Sequence, residues 1–410
     1  MVENRRAGVC RPQKLRNISR TSIGQNLSVN EGISFSTEHC NYVACLDIEN
    51  VECRYLLSGC NNGCVAIYDT ANIAQTGPLE PIAKSESASS SRSNRSSGSS
   101  ATVISSVQWY PFDTGMFFSG SLEGKMKVWD TNLFQPVHAK RAGKRVNDVQ
   151  TSSISTHHSL LAVATEQHFV SLFDLRSGLA INRTLEGHTG PVLSLSWSPR
   201  DEFLICSGSS DGAVKMWDVR RSGDSACVAT YDRLNTKGTV LRNGKAAAWK
   251  RSCNSHVAAS TAPVLYRKRK QREEGRVAYV RDEVTSVKFS PDGLYVVSVS
   301  AGRMTLWKSD GTNMLVDFPH FSSTYKSRPS PMSFLPFGAL KDTAIAVPAG
   351  HNSADIHVYD LFTGCRRASL TGHFDRLTSL IVQDYGSSCR IYSASQDSNI
   401  HVWGHHRTVS

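Results

Sequence analysis

Strand-like segments that end in an aromatic residue recur along this chain at a nearly constant interval. Trp129 and Phe173, Phe173 and Trp217, and Tyr359 and Trp403 are each separated by 44 residues. Two wider intervals, of 61 residues before Trp129 and 90 residues after Trp217, each contain a low-complexity stretch. A fixed period of this kind indicates an array of similar structural units, each of which buries its apolar face against the next unit.

The length of the period and the residues around each aromatic predict the type of unit. A period of about 40–45 residues that ends in Trp-Asp is typical of WD40 β-propeller blades, which are four-stranded sheets. Val192–Trp197 and Ala213–Trp217 alternate apolar and polar side chains, as half-buried strands do. Seven aromatic ends, from Tyr68 to Trp403, predict seven blades.

The predicted architecture is therefore all-β, a seven-bladed WD40 β-propeller over residues 33–410 that follows a polar, basic leader over residues 1–32. Two low-complexity inserts interrupt it, a serine-rich one at 71–106 and a basic one at 222–281. Segments of such composition bury too little apolar surface to offset their chain entropy, so both are expected to be loops.

The net charge of +11 comes from the basic insert. Between Arg233 and Arg281 there are thirteen Lys and Arg residues and two acidic residues, whereas the rest of the chain carries 33 of each sign. The propeller thus has no overall positive field, and direct binding of nucleic acid is not expected. There is no run of 18 apolar residues and no apolar core in the first 30 residues, so neither a membrane span nor a secretory signal is expected.

Two of the repeats carry His, Ser, Asp and Trp at matching positions. In both, the Ser precedes the Asp by four residues and the Asp precedes the Trp by six. These residues are His188, Ser207, Asp211 and Trp217, and His373, Ser393, Asp397 and Trp403. A hydrolase triad is excluded, because no G-x-S-x-G elbow accompanies them and the set occurs twice. The pattern predicts a buried hydrogen-bond relay, in which Asp bonds His, His bonds Ser, and Ser bonds the Trp indole.

Other catalytic patterns are missing from the sequence. There is no Gly-rich phosphate loop and no paired-carboxylate constellation. The pairs His157-His158 and His405-His406 have no Cys or carboxylate at metal-ligand spacing. The sequence therefore predicts a protein that is not an enzyme and that binds no cofactor or metal.

Two consecutive repeats end in the same form, Phe173-Asp174-Leu175-Arg176 and Trp217-Asp218-Val219-Arg220. Each Asp and Arg should lie just past the third strand, at the rim of one propeller face. An arginine there is not needed for the core, and its planar guanidinium suits a partner's carboxylate or backbone. Two in tandem resemble the paired boxes of WD40 substrate receptors that dock on the propeller adaptor of cullin–RING ubiquitin ligases. The alternative is that they are ordinary surface arginines.

A more specific resemblance lies in the second repeat, in Val107-Gln-Trp-Tyr-Pro-Phe-Asp-Thr-Gly-Met-Phe117 and Lys127-Val-Trp-Asp-Thr-Asn132. With Arg54–Gly59, Lys215–Arg221 and Leu370–His373, these segments resemble the Cockayne syndrome group A protein family. The resemblance implies a nuclear substrate receptor of a cullin–RING ubiquitin ligase that acts in transcription-coupled nucleotide-excision repair. It also implies that Asp174, Arg176, Asp218 and Arg220 contact the propeller adaptor, helped by the leader. Stalled RNA polymerase and repair factors would be the substrates.

Two alternatives remain open at the level of sequence. One is a nuclear interaction scaffold in chromatin or RNA processing that has no ligase. The other is a damaged-DNA binder that uses the basic insert, where a dense cluster is also a candidate nuclear-import signal, a nonspecific nucleic-acid contact or a solvated charge run. The residues of this cluster are Arg267, Lys268, Arg269, Lys270 and Arg272.

Overall fold

The computed structural model describes residues 27–29, 33–37, 41–72, 77–85, 102–231, 282–300, 302–310, 314–318, 329–335, 343–349, 354–384 and 389–405. Within these residues the chain forms seven four-stranded antiparallel sheets and one two-stranded parallel pair. The seven sheets are the blades of a β-propeller, as the repeat period predicts.

The strands follow one another in chain order from the channel outwards in most blades. Blade 1 contains β3 (Val43–Ile48), β4 (Tyr55–Cys60), β5 (Val65–Asp69) and β7 (Ala83–Lys84). Blade 2 contains β8 (Ile104–Trp109), β9 (Met116–Ser121), β10 (Lys125–Asp130) and β11 (Gln135–Arg141). Blade 3 contains β12 (Val146–Thr151), β13 (Leu160–Thr165), β14 (Phe169–Asp174) and β15 (Ala180–Glu186). Blade 4 contains β16 (Val192–Trp197), β17 (Leu204–Ser209), β18 (Val214–Asp218) and β19 (Cys227–Tyr231).

The remaining strands complete the ring. Blade 5 contains β20 (Val284–Phe289), β21 (Tyr295–Ser300), β22 (Arg303–Lys308) and β23 (Met314–Asp317). Blade 6 contains β24 (Ser333–Leu335), β25 (Ala344–Pro348), β26 (Ile356–Asp360) and β27 (Arg366–Leu370). Blade 7 contains β28 (Leu377–Asp384), β29 (Cys389–Ser395), β30 (Ile400–His405) and β1 (Leu27–Val29). The parallel pair joins β2 (Ile33–Phe35) to β6 (Gly77–Leu79).

Helical structure in the described residues consists of two short 3-10 helices, Thr70–Asn72 and Gly223–Ala226. Neither is long and apolar enough to cross a membrane.

The two ends of the chain close the ring. Strand β1 pairs antiparallel with β30, with Leu27 opposite His405 and Val29 opposite Trp403. The outer strand of the last blade is thus supplied from the opposite end of the sequence, which covers an edge that would otherwise expose unpaired backbone groups. The propeller therefore includes Leu27–Val29, which lies within the predicted leader.

The inserts are shorter than their predicted bounds. Strands β6 and β7 lie within the predicted serine-rich insert, and β8 begins before its end. Strand β19 lies within the predicted basic insert and pairs with β18 as the outer strand of blade 4. Residues 86–101 and 232–281, which include the import candidate Arg267, Lys268, Arg269, Lys270 and Arg272, are outside the described residues.

Apolar side chains between neighbouring blades form the core. Between blades 3 and 4, Leu172 and Leu195 pack with Trp197 and Trp217 in one buried cluster. The second strand of a blade approaches the first strand of the next closely at a glycine. A Cβ added to Gly208 would lie 2.6 Å from Val287 Cγ2, so packing against the next blade requires a glycine at this position.

Hydrogen bonds between blades satisfy polar groups along the first strands. A side chain on the first strand of one blade accepts a bond from a backbone N–H of the next. Examples are Ser379 Oγ with Leu46 N (3.0 Å), Asp47 Oδ2 with Trp109 N (2.7 Å), Asp148 Oδ2 with Leu195 N (2.9 Å), and Ser194 Oγ with Val287 N (3.2 Å). These bonds restrict the rotation of the blades that they join.

Candidate functional site

The propeller has two faces that differ in chemistry. In blade 4, Leu204 pairs with Asp218 at one end of the strands and Gly208 pairs with Val214 at the other end. We call the first end the arginine face; it carries the turns between first and second strands and between third and fourth strands. The opposite end, which carries His188 and Asp211, is the histidine face.

The predicted relay of blade 4 is assembled at the histidine face. His188 Nδ1 lies 3.0 Å from Asp211 Oδ2, and His188 Nε2 lies 2.8 Å from Ser207 Oγ. The indole N–H of Trp217 donates to the same Ser207 Oγ at 2.7 Å. The His188 side chain is fully buried. Every polar side-chain atom of this relay therefore has a partner, as a buried network requires.

Blade 7 repeats this arrangement. His373 Nδ1 lies 2.9 Å from Asp397 Oδ2, and His373 Nε2 lies 2.7 Å from Ser393 Oγ, which accepts from Trp403 Nε1 at 2.7 Å. Burial by itself raises the pKa of Asp397. Hydrogen bonds from His373 and two backbone amides outweigh it, so the pKa lies below its ordinary value. The ionised carboxylate is thus the favoured form, and the relay anchors the turn before the third strand.

Blade 2 keeps the hydrogen bond between Trp and Ser, whereas blade 3 has lost both of these residues. Trp129 Nε1 donates to Ser119 Oγ at 2.8 Å in blade 2. In blade 3, Phe173 replaces the Trp, and Val163, opposite Ser171, takes the position of the relay serine. The loss of the indole donor is therefore matched by the loss of its acceptor, and no buried polar group is left over by the change.

Three potential metal ligands, His373, Asp397 and His401, lie within 4.8 Å of one another. Both ring nitrogens of His373 already belong to the relay, so a metal would have to break it. His157 pairs through Nδ1 with Glu202, a carboxylate 45 residues further along the chain. Side chains of His405 and His406 are outside the description.

At the arginine face, Asp218 and Arg220 form a bidentate ion pair. Arg220 Nε lies 3.0 Å from Asp218 Oδ1, and Nη2 lies 2.9 Å from Oδ2. The Asp218 side chain is 4% exposed and that of Arg220 is 57% exposed. The guanidinium carbon also lies 4.5 Å from the centre of the Phe203 ring, a cation–π distance. Arg220 is thus held in one orientation at the surface before any partner binds.

Asp174 and Arg176 are arranged differently. Asp174 Oδ1 accepts hydrogen bonds from the backbone N–H of Arg176 and from Ser159 Oγ, both at 3.0 Å. Ser159 precedes β13 as Phe203 precedes β17, so blade 3 has no aromatic ring under its arginine. The Arg176 side chain is exposed. The sequence motif is the same in both blades, but only Arg220 of the two pairs with its own aspartate in the described structure.

The two aspartates cap the turn after the third strand. Asp218 accepts from the backbone N–H of Arg220 at 3.0 Å, and Asp130 and Asp360 make the same contact in blades 2 and 6. Burial opposes ionisation of Asp218, but the bonds and charge of Arg220 hold its pKa below the ordinary value. Asp174 and Asp218 thus hold their turns in shape, while Arg176 and Arg220 present the exposed groups.

Two features of this face have no sequence signature. Arg183 donates from Nη1 to the carbonyl oxygens of Val219 at 3.1 Å and Arg220 at 2.7 Å, which joins blade 3 to the turn of blade 4. In addition, three large apolar side chains are exposed on turns of blades 1 and 2 at the same face. They are Val51, Phe112 and Leu133.

This geometry defines the class of the protein: it is a WD40-repeat β-propeller. The WD domain, G-beta repeat model matches residues 91–130, 180–218 and 277–308. Propellers of this class are typically non-catalytic modules for interaction with other proteins.

Over its whole length the chain is similar to a particular plant protein. It is 27% identical over 444 aligned residues to the WD repeat-containing protein ATCSA-1 of Arabidopsis thaliana, covering 100% of this chain and 95% of that protein. It is 32% identical over 148 residues to Radiation-sensitive protein 28 of Saccharomyces cerevisiae, covering 34% of this chain and 28% of that protein. A match to the GATOR2 complex protein WDR24 of Danio rerio, 31% identical, covers 32% of this chain and 17% of that protein.

Proposed function

We propose that this chain is the non-catalytic substrate-recognition subunit of a cullin–RING ubiquitin ligase that acts in transcription-coupled nucleotide-excision repair. The observation that carries the proposal is the pair of exposed arginines, Arg176 and Arg220, on equivalent turns of adjacent blades. The full-length similarity to ATCSA-1 supports it. The name of the shorter yeast match, Radiation-sensitive protein 28, agrees with a role in the response to DNA damage.

The arginine face has the chemistry of a docking surface for the ligase's propeller adaptor. Arg220 is preorganised by Asp218 and Phe203, so little side-chain entropy is lost when a partner binds it. Exposed Phe112 and Leu133 add apolar area on the same face. Protein interfaces are enriched in arginine and aromatic residues, and the arginine face presents both.

The proposed mechanism is proximity. The arginine face holds the adaptor, another surface holds the substrate, and ubiquitin transfer takes place elsewhere in the assembly. Stalled RNA polymerase and repair factors are the proposed substrates. In this proposal a basic cluster imports the receptor into the nucleus, where these substrates occur. Its residues are Arg267, Lys268, Arg269, Lys270 and Arg272.

The test is binding of the purified chain to the purified propeller adaptor, measured by biolayer interferometry. We expect the Arg176→Ala/Arg220→Ala double variant to lose at least about tenfold in affinity, because charge-assisted contacts are removed. Arg141→Ala, an exposed arginine at the far end of β11, is the matched control and should bind normally. Thermal melting of all three should agree within a few degrees. Equal affinity of the intact chain and the double variant, or no binding by either, would overturn the proposal.

A deletion of residues 233–281 separates the two roles open to the basic insert. Loss of nuclear accumulation of a fluorescent fusion, with no DNA affinity before or after deletion, would support the import role. DNA affinity that falls steeply with salt and disappears on deletion would instead favour the damaged-DNA binder.

A further inference from the structure

The outer strand of blade 2, β11 (Gln135–Arg141), lies on the outer wall of the propeller and is exposed along its whole length. It contains seven residues, whereas the outer strands of blades 1, 4, 5, 6 and 7 contain two to five. It is the last strand of its sheet, and no described strand pairs with its outer edge. Such an edge offers backbone N–H and C=O groups to another extended chain.

The hydrogen-bond pattern shows which residues of β11 have backbone groups directed to this open edge. Ala142, which directly follows the strand, donates from its backbone N–H to Gly124 O at 2.8 Å. Because the bonded residues of an antiparallel ladder alternate, the N–H and C=O groups of Arg141 and Ala139 are directed away from β10. An added strand would therefore form its backbone hydrogen bonds with these two residues.

The side chains around this edge are cationic. Lys125 lies directly opposite Arg141 and shares a face of the sheet with Lys127, two residues further along β10, while Lys140 extends from the other face. Glu123 is already paired with Lys125, with 3.3 Å between Oε2 and Nζ. Burial, and then the charge of Lys125, lower the pKa of Lys127 below its ordinary value. The cations of this surface therefore repel one another, and a partner's carboxylates would relieve that repulsion.

The outer strand of blade 3, β15, is a comparison within the same propeller. It also contains seven residues and is mostly exposed, but its charged residues are one of each sign, Arg183 and Glu186. Arg183 is moreover bonded to backbone carbonyls of blade 4. The cationic cluster of β11 is therefore not a general feature of long outer strands in this propeller. Two copies of this chain would repel each other through β11, whereas an acidic strand would be attracted.

We propose that β11 is a docking site for an extended acidic segment of a partner protein, which adds to blade 2 as a further strand. The backbone of this segment bonds Ala139 and Arg141, adjacent Asp or Glu residues pair with Lys140 and Arg141, and an apolar side chain covers Val137, which is 57% exposed. The site lies on the outer wall and not on either face, so it does not depend on what docks on the arginine face. Nucleic acid fits less well, because a phosphodiester backbone has no amide groups that could continue a β-ladder.

The test begins with selection of random twelve-residue peptides displayed on phage against the full chain, with counter-selection against Ala139→Pro. Proline removes the N–H that an added strand would bond, and because β10 does not use that group, the sheet itself is retained. We expect the selected peptides to share adjacent Asp or Glu residues. An apolar residue should follow or precede them by three or four positions, which is the separation of Val137 from Lys140 and Arg141.

Fluorescence anisotropy of one selected peptide then separates the contribution of charge from that of backbone pairing. We expect binding to Lys140→Glu/Arg141→Glu and to Ala139→Pro to be at least about tenfold weaker than binding to the intact chain. Thr184→Pro is the matched control, because Thr184 has the equivalent position in β15, and it should bind the peptide normally. Hydrogen exchange of the Ala139 and Arg141 amides should become slower when the peptide binds.

The proposal is wrong if the selected peptides carry no acidic residues, if none is enriched over Ala139→Pro, or if the charge-reversed variant binds normally. Normal binding to Ala139→Pro with unchanged amide exchange would show an electrostatic contact without strand addition, which would also overturn it. Melting curves establish that each variant is folded, and the exchange measurement on the intact chain provides the test if Ala139→Pro does not fold. If a mixed-sequence DNA duplex displaces the peptide with a steep salt dependence, the surface binds nucleic acid and the peptide proposal is wrong.

Discussion

Arg183 donates a hydrogen bond to the backbone carbonyl of Arg220, with an Nη1–O distance of 2.7 Å. The donor is on the outer strand of blade 3 and the acceptor is in the turn of blade 4, so this bond fixes the position of one arginine turn relative to its neighbour. A surface that contacts a partner through Arg176 and Arg220 together needs their spacing to be constant.

We therefore predict that Arg183→Ala weakens adaptor binding although Arg183 itself is not one of the two docking arginines. Loss of the bonds to the carbonyls of Val219, Arg220 and Arg221 at an exposed position should lower the unfolding free energy by about 1 kcal/mol. Hydrogen exchange of the backbone amides at 219–221 should become faster, while exchange in β16 stays the same. Unchanged exchange in the turn would show that Arg183 does not hold it.

The fold could be predicted from the sequence at positions where the interior of a single blade requires one type of residue. Trp217, Ser207 and Asp211 recur at fixed spacing because a single sheet brings them together. Strand β19 lies within the predicted insert because an outer strand does not end in the Trp-Asp pair that marks the third strand of a blade. Strand β1 has no local signal in the sequence, because its pairing partner, β30, is more than 370 residues away along the chain.

The candidate sites were predictable only in part for the same reason. The Asp-x-Arg form is local, so the sequence could point to Arg176 and Arg220. The contact of Arg183 with main-chain carbonyls has no pattern to detect, because any residue provides a carbonyl. Residues of different blades that meet on one face, such as Arg145 of blade 3 and Arg376 of blade 7, share no local pattern either, because only the closed ring brings them together.

Substitution of Gly208 should destabilise the propeller through steric overlap. A Cβ at Gly208 would lie 2.6 Å from Val287 Cγ2 and 2.8 Å from Val284 Cγ1, so blades 4 and 5 would have to separate. We expect Gly208→Ala to lower the unfolding free energy by about 1–3 kcal/mol, measured by urea denaturation. Gly404→Ala is the matched control, since a Cβ there meets nothing within 4 Å. Similar losses in both variants would contradict the steric explanation.

The relay predicts non-additive energetics. Ser207→Ala leaves Trp217 Nε1 and His188 Nε2 buried without a partner, at a cost of about 1–3 kcal/mol. Adding Trp217→Phe removes one of these donors, so the double variant should lose less stability than the sum of the single variants. Blade 3 resembles such a double variant, because Phe173 replaces the indole donor and Val163 replaces the serine acceptor. Ser119→Ala in blade 2 leaves only Trp129 Nε1 without a partner, so it should lower the unfolding free energy less than Ser207→Ala does. Additive losses in the double-mutant cycle would show that Ser207 is not the shared partner of Trp217 and His188.

Asp397 should make the protein more stable at neutral pH than in acid. Its folded pKa is depressed, because hydrogen bonds from His373 and backbone amides outweigh the opposing effect of burial. The native state therefore gains stability above the unfolded pKa, near 4, and loses it as the pH falls through the lower folded pKa. Asp397→Asn should have a lower unfolding free energy than the intact chain at pH 7, by about 1–3 kcal/mol for the weakened hydrogen bonds, and this difference should shrink below pH 4. A gap of constant size would rule out the ionised carboxylate as its source.

Asp47 should show the opposite pH dependence. Burial in the channel wall raises its pKa to about 7, against the hydrogen bonds from Trp109 and Ile48 and the charge of Lys288. Because the unfolded chain releases this proton near pH 4, the native state loses stability as the pH rises from about 4 to 7. Asp47→Asn cannot ionise but still accepts from Trp109 N. We expect its melting temperature to match that of the intact chain near pH 4 and to exceed it at pH 7.5, in parallel scans with Asp397→Asn. A lower melting temperature for Asp47→Asn at pH 7.5 would show that the ionised form stabilises the channel, most directly through Lys288.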